Sequence, residues 1–135
     1  MNKPWSCYLD AVVRLTGVHE GQLLSLIGHD GSEIVTELEP PFCYRGFNPH
    51  IVGMALMDLG WLAATYPSKI EEYTVMSKAP SLVTVVTNLR NHLICLGQPV
   101  IYCSKDHAVG YTASELEMLP IQTPEWFTIL TPLLK

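Results

Sequence analysis

The residues that could do chemistry in this chain are one cysteine near its start and five histidines spread along it. Cys7 stands in Pro4-Trp5-Ser6-Cys7-Tyr8, and an apolar stripe at helical spacing begins at once. Tyr8, Ala11, Val12 and Leu15 share one face, and Gly17 is placed to end the helix. Cys7 is therefore expected in the first helical turn. Unpaired backbone N–H groups and the helix dipole favour negative charge there, which biases a thiol towards thiolate, the form that attacks carbonyl carbon. Such a nucleophile needs a base within hydrogen-bond reach, and the base needs a third group to orient it.

His19 and His92 fall on predicted helices, directed towards solvent, while His29 and His50 lie in or beside loops and stay open as substrate contacts. His107 follows the polar turn Ser104-Lys105-Asp106 and starts an extended apolar stretch, so its ring is expected at a sheet edge facing the first helix. It is the expected base. For the third group, the stretch Leu116–Pro120 offers only Glu117. A two-residue turn at Ala113-Ser114 would pair residue 107 with 120 and turn Glu117 to the opposite face. A three-residue turn would put Glu117 on the His107 face but opposite Tyr111, too distant at about 3.4 Å per residue. A wider turn would bring Gln122 opposite His107. Glu117 is the expected orienting group and Gln122 the alternative.

These residues must be positioned by the elements around them. A second short helix is expected from Val18-His19-Glu20 to about Ile27, with Leu23, Leu24 and Ile27 buried. Gly28–Glu33 is a turn-rich loop, and Asn48-Pro49 opens a helix to about Leu59, with asparagine as the cap and proline at the first helical position. Trp61–Tyr66 and Tyr73–Met76 are strand candidates, and Leu82–Cys95 is a fourth helix closed by Gly97-Gln98-Pro99. Val100–Cys103, His107–Tyr111, Leu116–Ile121 and Trp126–Leu133 complete a set of strands. Helices come first and an antiparallel sheet last. The predicted class is α+β, N-terminal helices packed on a C-terminal antiparallel sheet, as one domain over residues 1–135.

With 135 residues, 48% of them hydrophobic, the chain can build a core without disulfides. A formal net charge of −5 argues against nucleic acid as a partner, and no window is long enough to cross a bilayer. No secretory signal is visible, so a cytoplasmic location is expected, with reduced thiols. Cys43, Cys95 and Cys103 sit in apolar or aromatic surroundings and read as structural. Cys43 with His50, or Cys103 with His107, lacks the partners that would complete a zinc site, and the Asp30–Glu33 region lacks EF-hand spacing. No metal or cofactor is expected. Cys7 alone would read as a buried structural thiol, and only its context and His107 tip it towards a nucleophile.

That context resembles a known family. Trp5-Ser6-Cys7 followed by Ala11 and Gly17 is similar to the nucleophile helix of papain-like cysteine peptidases, closest to small bacterial and phage-borne members of the bacteriocin-processing type. Gly97-Gln98-Pro99-Val100-Ile101 followed by His107-Ala108-Val109 is similar to their histidine region, and Gly28–Glu33 and Gly46-Phe47 look like the small phage-type relatives. The resemblance implies a papain-like fold, a helix-borne cysteine with a strand-borne histidine far downstream, and hydrolysis of a peptide or amide bond. It also implies a Gln six residues before the cysteine that helps hold the oxyanion. Met1 occupies that position, and Asn2, one residue closer, can stand in if the N-terminus bends inwards. Losing one such donor typically costs about 10²–10³ in rate.

The expected activity is thus thiol acyl transfer by Cys7, His107 and Glu117 on a peptide or protein substrate, with Asn2 at the oxyanion and Trp5, Ser6 and His29 along the cleft. The competing expectation is a degenerate papain-like domain that binds a peptide or protein, or a phage-type effector that inhibits a host protein. An apolar, aromatic-lined cleft with Cys7 and His107 apart would mark that alternative.

Overall fold

The computed structural model describes residues 1–32, 47–68, 82–104, 107–120, 122 and 124–133. Helix α1 spans Cys7–Thr16 and ends where Gly17, at φ +73°, returns its N–H to Val13 O. Only a short step separates it from α2, Glu20–Ile27, whose first turn is capped by the His19 ring accepting from Gln22 N–H. Gly28, at φ +90°, closes α2 in the same way. Helix α3, Pro49–Asp58, begins as its sequence predicts: Asn48 Oδ1 accepts from His50 N–H at 2.8 Å, with proline at the first position. Gly60 at φ +91° then turns the chain straight into β1, Trp61–Pro67. Helix α4 is Leu82–Leu96, followed by β2, Val100–Cys103, and β3, Ala108–Tyr111. A short α5, Ala113–Met118, and β4, Trp126–Pro132, end the order.

The four strands form one antiparallel sheet in the order β1-β4-β2-β3. All four residues of β2 are buried, as a continuous apolar run in an interior strand should be. Alternation along the strands divides the core in two. Ile101, Cys103, Ala108 and Leu130 face a cluster built with Tyr8, Leu9 and Val12 of α1, Leu23 of α2, and Val52, Ala55 and Leu56 of α3. Val100, Tyr102 and Phe127 face a second cluster with Leu93 of α4 and Leu116 of α5. Each fully buried Leu, Ile or Val contributes on the order of 1.5–3 kcal/mol.

The fold is therefore α+β, but the expected segregation is corrected: helices cover both faces, and β1, from mid-chain, pairs with the C-terminal β4. A second correction concerns the stretch predicted as a strand over Leu116–Ile121. Residues 113–118 are helical because Thr112 and Glu115 form a capping box. Thr112 Oγ1 accepts from Glu115 N–H at 3.2 Å, and Glu115 Oε1 accepts from Thr112 N–H at 3.0 Å. The Tyr73–Met76 strand expectation lies outside the described residues. Among the described residues, no helix is long and apolar enough to cross a membrane.

Candidate active site

Residue Cys7 is the first residue of α1 and is half-buried. The residue after it anchors the helix. Tyr8 hydroxyl pairs with Thr128 Oγ1 at 2.9 Å, and Thr128 pairs with the half-buried Thr65 Oγ1 at 2.8 Å, so α1 is bonded through β4 to β1. Ser6 is also fully buried. Its Oγ accepts from Lys3 N–H at 2.8 Å and donates to Asp10 Oδ2 at 2.8 Å. Ser6 therefore shapes the turn into α1, which removes it from the expected cleft lining.

The N-terminus does bend inwards. The Met1 ammonium pairs with Asp10, at 3.1 Å, and with Glu20, while Asn2 N–H reaches Asp10 Oδ2 at 3.2 Å. The Glu20 contact foremost, with help from Asp10, raises the pKa of that ammonium above its ordinary value. Asn2 takes a positive φ of 54° and is exposed.

Trp5 joins this end of α1 to the Gly28–Ser32 loop, because its Nε1–H donates to Asp30 O at 2.9 Å. Gly31, at φ +75°, lies so close to Trp5 and Phe47 that a Cβ would sit 2.9 Å from each ring. His29 stacks on Phe47 with ring centroids 5.4 Å apart, and its Nδ1 accepts from Gly31 N–H at 3.0 Å. That acceptor role leaves the proton on Nε2. Trp5 and His29 thus flank the same end of α1. Asp30 is held below the usual carboxylate range by Ser32.

Helix α1 runs alongside β3 in the same direction. Gly110 meets Ala11 and Leu15, with a Cβ there 2.7 Å from Leu15 Cδ1, and Arg14 reaches on to Glu115 at 3.2 Å. Stepping back from Ala11 to Cys7 covers about 6 Å of helix. Stepping from Gly110 to Ala108 covers about 6.6 Å of strand. Cys7 thereby comes over Ala108 and its register partner Cys103. The Cys103 thiol is pushed up to about 12, chiefly by burial, with charge on Cys7 adding to the shift and a Thr128 hydrogen bond opposing it.

His107 precedes Ala108 and is exposed, its carbonyl accepting from Ser104 N–H at 2.8 Å across the turn. Pleat alternation sends Ala108 and Gly110 towards α1 and Val109 and Tyr111 away from it. His107 shares the second parity. With Tyr102, Tyr111, Gln122 and Pro124 it lines a cavity of about 130 Å³ on the α4 side. Cys7 and His107 therefore occupy the same end of the β2–β3 hairpin, on opposite faces of the sheet. Gln122 shares the His107 cavity, whereas Glu117 is exposed on α5 and does not line it. The strand registers weighed for Glu117 do not apply, because residues 113–118 form a helix.

Of the other expectations, His19 caps α2, His50 and His92 are exposed, and Cys43 lies outside the described residues. Cys95, expected in apolar surroundings, is exposed on α4. Two features went unread in the sequence. Arg90 of α4 donates to Leu119 O at 2.8 Å, and its buried Nε has no hydrogen-bond partner. The Thr112-x-x-Glu115 spacing was the available signal for α5, and nothing in the sequence marked Arg90. Among the described residues, no three His, Cys, Asp or Glu side chains gather to hold a metal. No family model matches this chain, and no curated protein or solved structure matches it either.

Proposed function

We propose that the chain is a papain-like thiol acyl-transfer enzyme that hydrolyses a peptide or amide bond, with Cys7 as nucleophile and His107 as base. The observation that supports this reading is that Cys7, at the start of α1, and His107, just before β3, lie at the same end of the β2–β3 hairpin, though on opposite faces of the sheet, with Gln122 lining the His107 cavity. Cys7 Sγ attacks the carbonyl carbon while His107 accepts the thiol proton. The tetrahedral oxyanion is held by first-turn N–H groups of α1, with Asn2 close by. Collapse breaks the C–N bond, and the amine leaves with the proton from His107. Water then cleaves the thioester by the reverse sequence. Gln122 takes the orienting role in place of Glu117, since an amide oxygen can fix the imidazole tautomer without carrying charge.

Because His107 is exposed at the last rung before the turn, its ring has room to move around the hairpin end. The test is alkylation by iodoacetamide across pH, for wild type and His107→Ala. Cys7 is expected to react fastest of the cysteines, with an apparent pKa below that of a free thiol that rises when His107 is removed. The parity of His107, facing away from α1, favours one second reading, a degenerate domain that binds a peptide in the aromatic-lined cavity. Slow Cys7 labelling that ignores His107 would select it.

A further inference from the structure

The cavity beside His107 has a chemistry that its role in catalysis does not require. Among the described residues its polar side chains are Tyr102, Ser104, His107, Tyr111 and Gln122, each able to donate a hydrogen bond, with no carboxylate among them. Tyr102 and Tyr111 meet edge to face with centroids 5.6 Å apart, which forms an aromatic wall ending in two hydroxyls. Arg90, which donates to Leu119 O at 2.8 Å, does not line the cavity, but its charge acts on the Tyr102 phenol. Arg90 has no carboxylate partner among the described residues, and its buried Nε has no acceptor. A buried cationic donor left unmet is costly, and an anion brought near it would offset part of that cost. A volume of about 130 Å³ admits a single side chain. Such a space corresponds to roughly four waters at about 30 Å³ each.

We propose that this cavity is a subsite for one acidic side chain of a bound peptide, an aspartate or glutamate whose carboxylate meets the Tyr102 and Tyr111 hydroxyls in the positive field of Arg90. This rests on the thiol-hydrolase reading only for the view that the ligand is a peptide. A lysine side chain would meet donors with no acceptor charge, and a glutamine side chain would gain nothing from Arg90.

Two measurements test it. N-acetyl dipeptidyl vinyl sulfones carrying Glu, Gln or Lys at either residue before the warhead are reacted with the full chain, and Cys7 adduct formation is followed by intact mass. At one position Glu is expected to outpace Gln by about tenfold, the worth of one partly buried charged hydrogen bond. The preference should vanish in Arg90→Gln and persist in Arg90→Lys. Equal rates for Glu and Gln, faster labelling by Lys, or a preference surviving Arg90→Gln would overturn the subsite. Binding is read separately, by NMR titration with N-acetyl-glutamyl N-methylamide and its glutaminyl counterpart. Shifts at the Val109 and Tyr111 amides with the glutamyl probe alone support the subsite, and their absence refutes it. If the glutamyl probe binds but no vinyl sulfone labels Cys7, the catalytic reading falls and the subsite stands.

Discussion

Helix α1 packs tightly on the sheet at Gly110, and adding one methyl there should move the helix. An alanine Cβ would lie 2.7 Å from Leu15 Cδ1, 3.2 Å from Leu15 Cγ and 3.1 Å from Ala11 Cβ. Leu15 Cδ1 is the end of a flexible side chain and can rotate away. Ala11 Cβ is fixed to the helix backbone and cannot, so α1 must lift by at least a few tenths of an ångström. Overpacking of this kind costs about 1–3 kcal/mol. For a domain of this size that lowers the melting temperature by roughly 3–10 °C. Leu15→Ala in the same chain removes two of the three close contacts, so the pair should be coupled by about 1 kcal/mol, the double variant losing less than the sum of the singles. Urea denaturation of the four proteins measures the cycle, and iodoacetamide labelling of Cys7 reports whether the helix start moves with its middle. A Gly110→Ala protein within 0.3 kcal/mol of wild type (roughly the noise of such a cycle) would refute the packing argument. So would singles and double that simply add.

Further outcomes follow from other contacts. Thr128→Val should cost about 1–3 kcal/mol in urea denaturation, because it removes the hydrogen bonds to both Tyr8 and Thr65, whereas Tyr8→Phe leaves Thr128 bonded to Thr65 and should cost about 1 kcal/mol. Thr112→Ala opens the α5 capping box and should cost about 1 kcal/mol, with Thr112→Ser nearly neutral. Gln122→Ala should slow peptide hydrolysis by up to about 10²-fold through a misdirected His107, while Glu117→Ala leaves the rate unchanged. Cys103 supplies a pH test. Its thiol ordinarily titrates at 9.0 and is pushed up to about 12 in the fold, so above pH 9 the unfolded chain releases a proton that the native chain keeps. Stability must then fall as pH rises, by up to about 1.4 kcal/mol per unit, and Cys103→Ala should flatten that slope between pH 9 and 10.5.

What the sequence determined by itself is the set of elements whose signals lie within a few residues of one another. Gly17 and Gly28 end α1 and α2 because each can take the left-handed conformation that returns an N–H to the last turn. Asn48 and Pro49 start α3, and the unbroken apolar run Val100–Cys103 marks an interior strand. The start of α5 belongs to this group too, since the Thr112–Glu115 capping box sets it rather than the hydrophobic content of the stretch. Tertiary structure alone decided which face each strand residue meets. Whether His107 looks towards Cys7 depends on which parity of β3 packs under α1, and that is settled by Gly110 against Ala11 and Leu15, far apart in the chain. Ser6 is buried because the N-terminal segment folds over it, and Gln122 shares a cavity with His107 because β4 returns through the middle of the sheet. Arg90 beside Tyr102 is the same kind of fact. Caps and periodicity act locally along the backbone, whereas a site is a meeting of side chains, fixed only when the packing of helices on the two sheet faces is complete.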